Sequence, residues 1–190
     1  MSQEYNYDLV IVGGGPAGSS AAFAAAKNGI KVALIEKENT IAETVRTSGV
    51  TWIESIKEFG IPDDCYNPIK NFSLSSPNNQ VTISDVVATA AVLDVRKTYR
   101  WLANEAKKIG VDIFVKTNIN EVIKNDENDI VGVSGIGVNG KTSFHAKVII
   151  DATGFTSTIS KAMGFVTQWK RFGVGAEYEA KVENVDSETW

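Results

Sequence analysis

Apolar and polar positions follow two different periods along the chain, and these periods predict alternating strands and helices. The apolar run at residues 7–12 predicts a buried strand, and a second run at residues 31–36 predicts another. Between them, the alanine-rich residues 16–28 predict a helix. Apolar residues recur at helical spacing over residues 95–109, and Gly110 is expected to end that helix. The chain is therefore expected to open with a compact strand–helix–strand unit.

Shorter patterns predict further helices and strands. Residues 81–84 are expected to pair with residues 72–75 across a turn, and Asn139-Gly140 is expected to form a second hairpin turn. Residues 147–151 form a near-continuous apolar run, which is typical of a central parallel strand. The remaining predicted elements are a helix over 50–59, strands over 88–93, 111–115, 119–124, 130–138 and 142–146, a helix over 156–163 and a weak strand over 172–185. The order predicts an α/β, Rossmann-like fold with a parallel central sheet and an antiparallel β excursion.

Composition limits the functional classes. An apolar fraction of 43% with 22% charged residues is ordinary for a chain that folds around a core. The net charge of −4 argues against a nucleic-acid-binding surface or a polybasic membrane patch. Cys65 is the only cysteine, so an internal disulfide is excluded and a reducing cytoplasm is the expected location. We expect no transmembrane segment, because no run approaches the roughly 20 apolar residues that span a bilayer.

The strongest chemical signal is the glycine-rich turn between the first strand and the first helix. Gly13 is expected to permit the tight turn, Gly15 to let the backbone approach a pyrophosphate, and Gly18 to let the helix pack closely. The free N–H groups of the helix that starts near Pro16 would face the phosphates. Glu36 ends the second strand, where its carboxylate would accept hydrogen bonds from an adenosine ribose. This order of parts predicts dinucleotide binding; the other interpretation is a tight turn without a ligand.

Four separate segments carry a resemblance to one family. They are residues 10–18 with Glu36-Lys37, Arg46 in the next loop, residues 92–102 around Arg96, and residues 149–154. In order and spacing they resemble the N-terminal part of FAD-dependent oxidoreductases of the geranylgeranyl reductase type, in the class of p-hydroxybenzoate hydroxylase. The resemblance covers essentially the whole chain. It implies a discontinuous FAD-binding domain over 1–67 and 94–168, with 68–93 and 169–190 as incomplete substrate-domain strands.

The resemblance also implies roles along FAD for the matching residues. Arg46 and Arg96 would supply positive charge near the phosphates, and the backbone at Ile119 and Asn120 would flank the adenine. Asp151 and the residues after it would pack against the cofactor, although Asp151 at a strand end also fits a cap of the following turn. The implied cofactor-binding residues are Gly13, Gly15, Pro16, Ala17, Gly18, Glu36, Lys37, Arg46, Thr47, Ser48, Arg96, Ile119, Asn120, Asp151 and Gly154.

Two features depart from the family pattern. Prenyl reductases of this type carry an Arg-Cys-Gly-Glu-like run after the second strand, whereas this chain has Arg46-Thr47-Ser48-Gly49. Thr47 and Ser48 would donate hydrogen bonds to flavin or substrate, but they provide no thiolate. The chain also ends at Trp190, before the family's later Gly-Asp motif, so it is interpreted as a fragment or as one part of a two-chain enzyme.

The resemblance implies an enzyme in which reduced flavin delivers a hydride to a double bond of a small-molecule or prenyl-lipid substrate. NAD(P)H is a candidate reductant, and a prenyl-lipid substrate would imply peripheral contact with a membrane. We assign no general acid or base and no metal ligand. The alternatives are a flavin-dependent monooxygenase or halogenase, an NAD-binding dehydrogenase domain, and a non-catalytic dinucleotide-binding module.

Overall fold

The chain divides into two compact units in a computed structural model that describes residues 2–165, 171–176, 178, 181, 183 and 186–190. One unit consists of residues 1–44 and 99–170, and the other consists of residues 45–98 and 171–190. The division predicted from the family resemblance, into an FAD-binding domain and a substrate domain, concerns function and stays a prediction.

The described residues form the following elements. The strands are β1 (Gln3–Val12), β2 (Val32–Ile35), β3 (Val50–Trp52), β4 (Tyr66–Ile69), β5 (Asn71–Ser75), β6 (Gln80–Ser84), β7 (Ala90–Leu93), β8 (Asp112–Phe114), β9 (Asn118–Lys124), β10 (Ile130–Gly137) and β11 (Gly140–Asp151). The helices are α1 (Pro16–Lys27), α2 (Ile53–Phe59), α3 (Val95–Lys108) and α4 (Thr158–Ala162), with 3-10 turns at Asp63–Cys65 and Gly154–Thr156.

The first unit is built on a six-stranded sheet in the order β8-β2-β1-β11-β10-β9. Strand β1 runs parallel to both β2 and β11, and β2 runs parallel to β8. Strands β11, β10 and β9 pair antiparallel. The predicted α/β class, with a parallel central sheet and an antiparallel excursion, is confirmed. Because β1, β2 and β11 are parallel, their carboxyl ends meet at one edge of the sheet.

Alternate residues of the central strands enter two different cores. Val10 and Val12 of β1 join one buried cluster, which also contains Ile35, Phe144 and Val133. Leu9 and Ile11 point to the opposite face and pack with residues of β2, α1 and α3. Both faces of β2 and of residues 9–12 of β1 are buried, which explains why these stretches are continuous apolar runs in the sequence instead of alternating.

The second unit contains an antiparallel sheet in the order β3-β7-β4 and the hairpin β5–β6. Residues 188–190 lie along β5 and extend the hairpin. The Asn71 N–H donates to the Glu188 carbonyl at 2.9 Å, and the Trp190 N–H donates to the Asn71 carbonyl at 3.0 Å. The Phe72 and Trp190 rings meet edge to face at 6.1 Å between centroids. This segment is therefore held to β5 by both backbone and ring contacts.

The β5–β6 hairpin has one apolar and one polar face. Phe72 pairs with Ile83 and Leu74 pairs with Val81, so these four side chains share a face. Leu74, Val81 and Ile83 are each more than half exposed. The other face carries only serine, threonine, asparagine and glutamine side chains, at positions 71, 73, 75, 80, 82 and 84. An amphipathic hairpin with an exposed apolar face is thus a feature of the second unit.

Three sequence predictions are wrong in detail. The helix expected over 50–59 begins only at Ile53, because Val50–Trp52 is a strand that pairs with β7; valine, threonine and tryptophan favour strands. The strands expected over 142–146 and 147–151 are one continuous strand, β11. The second hairpin turn is Val138-Asn139, because Gly137 pairs directly with Gly140.

The weak strand predicted over 172–185 falls partly outside the described residues. Residues 177, 179, 180, 182, 184 and 185 are not described, and residues 172–176 are not in a strand. Strand β4 and the 3-10 turn before it were not predicted, since Pro68 disfavours a strand in a sequence pattern.

Phe144 anchors the first core, and its truncation provides a test of the fold. Its side chain is fully buried, and its ring lies 5.1 Å from that of Tyr5 and 4.9 Å from that of Phe114. We expect Phe144→Ala to lower the free energy of unfolding by about 3–5 kcal/mol, because it removes apolar burial and leaves a cavity. Chemical denaturation measures this value. The control is Val138→Ala in an exposed turn, for which a change within about 0.5 kcal/mol is expected.

Candidate dinucleotide-binding site

The glycines of the turn after β1 differ in what surrounds them. Gly13 has φ +112°, and a Cβ on it would lie 2.2 Å from the Ala152 carbonyl oxygen. A Cβ on Gly18 would lie 1.9 Å from the Gly13 carbonyl oxygen. A Cβ on Gly15 would meet no protein atom within 4 Å. Gly13 and Gly18 are therefore required by packing within the protein, whereas the space above Gly15 is open.

The backbone at Gly15 does not itself require glycine. Its φ of −69° and ψ of −174° are extended values that other residues adopt readily. Gly15 is the N-cap of α1, Pro16 occupies the first turn, and no side chain caps the helix. The first N–H groups of a helix lack intrahelical acceptors and attract anions. An open glycine at an uncapped helix start fits a pyrophosphate that approaches the backbone closely.

Glu36 is held in place by two backbone N–H groups. The Gly14 N–H donates to Glu36 Oε2 at 2.8 Å, and the Glu38 N–H donates to Glu36 Oε1 at 2.9 Å. The side chain is half-buried at the carboxyl end of β2, next to the glycine turn. Each oxygen retains a lone pair for a further donor. This carboxylate is therefore fixed in position with acceptor capacity left over, and its contact with a ribose stays a prediction.

A loop contact that the sequence did not predict supports the same turn. A Cβ on Gly14 would lie 2.4 Å from Ile41 Cδ1, so the Ile41 side chain covers this glycine. Arg100 Nε donates to the Ile41 carbonyl oxygen at 3.1 Å and ties the loop to α3. Residues 39–49 lack any periodic pattern, so nothing in the sequence pointed to Ile41.

The segment after β11 packs against the glycine turn. Asp151 pairs with Val12, and the Ala152 N–H donates to the Val12 carbonyl at 2.8 Å. The Asp151 carboxylate caps the following residues, which was the alternative interpretation of its place at a strand end. Gly154 is exposed and has φ +66°.

Four donors converge on the Asp151 carboxylate. The Thr153 N–H and hydroxyl donate to Oδ1 at 3.1 and 2.6 Å, and the Ser160 N–H and hydroxyl donate to Oδ2 at 2.7 Å each. Burial by itself would raise the pKa of Asp151, but the hydrogen bonds from Thr153 and Ser160 outweigh it and hold the pKa below its usual value. The group is therefore an anion at neutral pH.

The predicted adenine-flanking residues lie on β9. Ile119 is buried in the first core, and Asn120 is exposed. The backbone next to Glu36 belongs to the preceding residues: the Thr117 N–H donates to the Glu36 carbonyl at 3.0 Å, and the Lys116 N–H donates to the Glu38 carbonyl at 2.8 Å. The adenine role of Ile119 and Asn120 stays a prediction.

Four of the predicted residues belong to the second unit. Arg46, Thr47 and Ser48 are exposed in the loop before β3, where the Thr47 hydroxyl accepts a hydrogen bond from the Gly49 N–H at 3.3 Å. Arg96 is half-buried in the first turn of α3, which Asp94 caps by accepting from the Lys97 N–H at 2.9 Å. Their predicted cofactor contacts stay predictions.

Within the part of the chain that the structure describes, no helix combines the length and apolar character needed to cross a membrane. The same residues contain no cluster of three or more histidine, cysteine, aspartate or glutamate side chains arranged for a metal ion. Cys65 is buried, and that burial raises the pKa of its thiol, which disfavours a reactive thiolate.

Comparison with known sequences gives a family match over most of the chain. The sequence model of a family described as FAD dependent oxidoreductase matches residues 8–171. The match begins in β1 and includes the glycine turn, Glu36 and the segment after β11.

Individual relatives differ in how much of their length the chain covers. It is 34% identical over 177 residues to an uncharacterized protein in the nifH2 5′ region of Methanosarcina barkeri, covering 91% of that protein and 86% of this chain. It is 36% identical over 186 residues to the digeranylgeranylglycerophospholipid reductase of Methanocaldococcus jannaschii, covering 95% of this chain and 46% of that protein. The chain thus spans less than half of the named reductase.

A solved structure also matches this chain in fold. The crystal structure of a geranylgeranyl bacteriochlorophyll reductase-like protein from Thermoplasma acidophilum matches with a TM-score of 0.75 and 30% identity. The match covers 85% of this chain and 42% of that one. The fold of this chain therefore agrees with that of less than half of the reductase-like protein.

Substitutions at Gly15 and Gly18 separate cofactor binding from folding. A valine at Gly15 would occupy the open space above the turn, so we expect Gly15→Val to weaken FAD binding at least about 100-fold. The same variant should change the free energy of unfolding, measured without FAD, by less than about 1 kcal/mol. Gly18→Ala would force its Cβ against the Gly13 carbonyl and cost roughly 1–3 kcal/mol. FAD titration and chemical denaturation of the protein freed of FAD measure the two effects. A Gly15→Val variant that binds FAD like the parent would show that this turn is not the site.

Proposed function

The chain belongs to the FAD-dependent oxidoreductase family, and from that membership we propose that it binds FAD through the glycine turn of its first unit as part of an enzyme that reduces isoprenoid double bonds. The observation that carries the cofactor proposal is the contrast between glycines. Gly13 and Gly18 are explained by contacts inside the protein, but Gly15 is surrounded by open space. A glycine that neither the backbone nor the packing requires is accounted for by a pyrophosphate that must come close.

The residues of the first unit would share the binding of the ADP half of the cofactor. The N–H groups of Ala17 and Gly18 at the start of α1 would donate to the pyrophosphate, with Pro16 setting the helix start. The Glu36 carboxylate, fixed by Gly14 and Glu38, would accept the ribose hydroxyls. Holding the carboxylate in place before binding lowers the entropic cost of the contact.

The other predicted residues keep the roles that the family resemblance implies. Arg46 and Arg96 would neutralise phosphate charge, and Thr47 and Ser48 would donate hydrogen bonds to the flavin or substrate. Lys37 is exposed beside Glu36. Ile119 and Asn120 would flank the adenine, and Gly154 would lie near the cofactor. When bound, FAD supplies the redox chemistry, and the protein binds, orients and shields it.

Two observations support the proposal of an apolar substrate: the name of a relative and the apolar face of the hairpin in the second unit. The Methanocaldococcus jannaschii relative is named for reducing a phospholipid with geranylgeranyl chains. The β5–β6 hairpin presents Phe72, Leu74, Val81 and Ile83 on one face, and no charged residue occurs between Lys70 and Asp85. A prenyl chain has no group that hydrogen-bonds, so a neutral, apolar strand face suits it. Contact with a membrane surface would follow from such a substrate.

The remaining parts of this assignment rest on the family resemblance and on composition. NAD(P)H is proposed as the reductant, and the single, buried cysteine suits the reducing cytoplasm that composition predicts. The alternative of a flavin-dependent monooxygenase or halogenase predicts NAD(P)H oxidation coupled to oxygen consumption, which a prenyl reductase does not need.

The visible absorption spectrum of the purified protein tests the cofactor. We expect a flavin spectrum, and FAD in the extract after the protein is denatured. If the protein is purified without pigment, it should take up added FAD during titration. A protein that retains no FAD after the titration and instead binds NAD(P)H would support the dehydrogenase alternative and contradict the proposal.

A matched pair of substitutions in β6 tests the substrate. Ile83→Asp places a charge on the apolar face, whereas Thr82→Asp places it one residue away on the polar face. With a digeranylgeranylglycerophospholipid as substrate and dithionite-reduced enzyme, we expect Ile83→Asp to raise KM at least about tenfold without changing FAD affinity, since a charge opposes apolar burial. Thr82→Asp should leave KM within about twofold. Equal effects of both variants would mean that this face does not contact the lipid.

A further inference from the structure

The position of the Ala152 carbonyl sets the shape of the glycine turn. Its oxygen occupies the space that a Cβ on Gly13 would need, at 2.2 Å, while the Ala152 N–H is bonded to Val12 at 2.8 Å. Gly18 also lies close to Ala152, because a Cβ on Gly18 would lie 3.3 Å from the Ala152 Cβ and 1.9 Å from the Gly13 carbonyl oxygen. A shift of the residues after β11 would therefore move Gly13 and the first turn of α1 together.

The Asp151 carboxylate binds the residues after β11 at two places. One oxygen binds Thr153 within the turn, and the other binds Ser160 in α4. Thr153 also links the turn to the start of α4, since its hydroxyl oxygen accepts the Thr158 N–H at 2.8 Å. Helix α4 is only five residues long and has no side-chain cap from its N-cap residue Ser157. Charge-assisted hydrogen bonds of this length are among the stronger ones in proteins.

We propose that Asp151 is a positioning residue for the cofactor, one that holds Ala152 against Gly13 through Thr153 and Ser160 without touching the cofactor itself. The inference rests on the proposed FAD function and deepens it. Each Asp151 oxygen already receives two donors, which fills the usual capacity of a carboxylate oxygen. The group therefore has no remaining site for a cofactor hydroxyl, in contrast to Glu36, whose oxygens receive one N–H each.

FAD affinity in a set of variants tests this role. Asp151→Asn keeps the size of the side chain but turns an NH₂ group toward donors of Thr153 or Ser160, so we expect the FAD Kd to rise about tenfold. Thr153→Val removes the hydroxyl and should raise Kd about three- to tenfold, while Thr153→Ser retains the hydroxyl and should restore Kd to within about twofold of the parent. The measurements are titrations of the FAD-free protein, followed by flavin fluorescence.

Rescue by serine distinguishes positioning from general loosening of the fold, because it depends on the hydroxyl and not on side-chain bulk. The control is Asp8→Asn, in the middle of β1, where Asp8 accepts from Lys147 Nζ at 2.8 Å; its Kd should stay unchanged. Thermal unfolding without FAD is recorded for each variant. If Asp151→Asn does not fold, the Thr153 pair decides the question.

The outcomes separate this inference from the proposed function. A parent protein that binds no FAD overturns both. A parent that binds FAD, with Asp151→Asn or Thr153→Val equal to it in Kd, overturns only the positioning role. A Thr153→Ser variant as weak as Thr153→Val does the same, because the hydroxyl would then not be the group that matters.

Discussion

The close approach of three backbone segments at Gly13 is the constraint on which the first unit depends. The end of β1, the start of α1 and the residues after β11 meet here: a Cβ on Gly13 would clash with the Ala152 carbonyl oxygen, and a Cβ on Gly18 would clash with the Gly13 carbonyl oxygen. The parallel pairing of Val12 with Asp151 brings these segments to the same edge of the sheet. Glu36 reaches that edge from β2, which is also parallel to β1. The candidate site is thus a consequence of strand order combined with two glycines, Gly13 and Gly18, whose surroundings have no room for a Cβ.

Local patterns were sufficient to predict the parts of this arrangement that are local in sequence. The first strand, α1 and β2 were predicted because a buried parallel strand and an alanine-rich helix have distinct patterns, and the glycine spacing marked the turn. The β5–β6 hairpin was predicted from strict alternation. The errors arose where two signals overlap: Val50–Trp52 lies next to a helical stretch, and β11 pairs with β1 over residues 142–151 but has β10 as a second neighbour only as far as His145. The loss of one neighbour part-way along a strand changes the burial pattern, and in the sequence this resembles the end of a strand.

Contacts between distant segments left no such pattern. Ile41 covers Gly14 from a loop with no periodicity, and Arg100 reaches the Ile41 carbonyl from a helix 59 residues later. Sequence reasoning placed Asp151 at the cofactor because it ends a strand near the glycine turn, and it also allowed a turn cap. Only the structure shows that Thr153 and Ser160 supply donors to both carboxylate oxygens. The type of residue was therefore predictable, but its partner was not, because Ser160 lies nine residues away in a short helix.

The glycines of the turn show how a requirement of folding and a requirement of binding can be told apart. At Gly13 and Gly18 a side chain would clash with a neighbouring backbone carbonyl. Any protein with this strand–helix packing would therefore keep these two glycines, with or without a ligand. Gly15 has an ordinary extended conformation and open space beside it, so neither packing nor strain accounts for the missing side chain. The same reasoning applies to the carboxylates: Asp151 is saturated by donors from the protein, whereas Glu36 is oriented by the protein and keeps lone pairs for other donors. Binding chemistry is therefore expected where the fold leaves a group both fixed and incompletely satisfied, and in the first unit Gly15 and Glu36 meet that description.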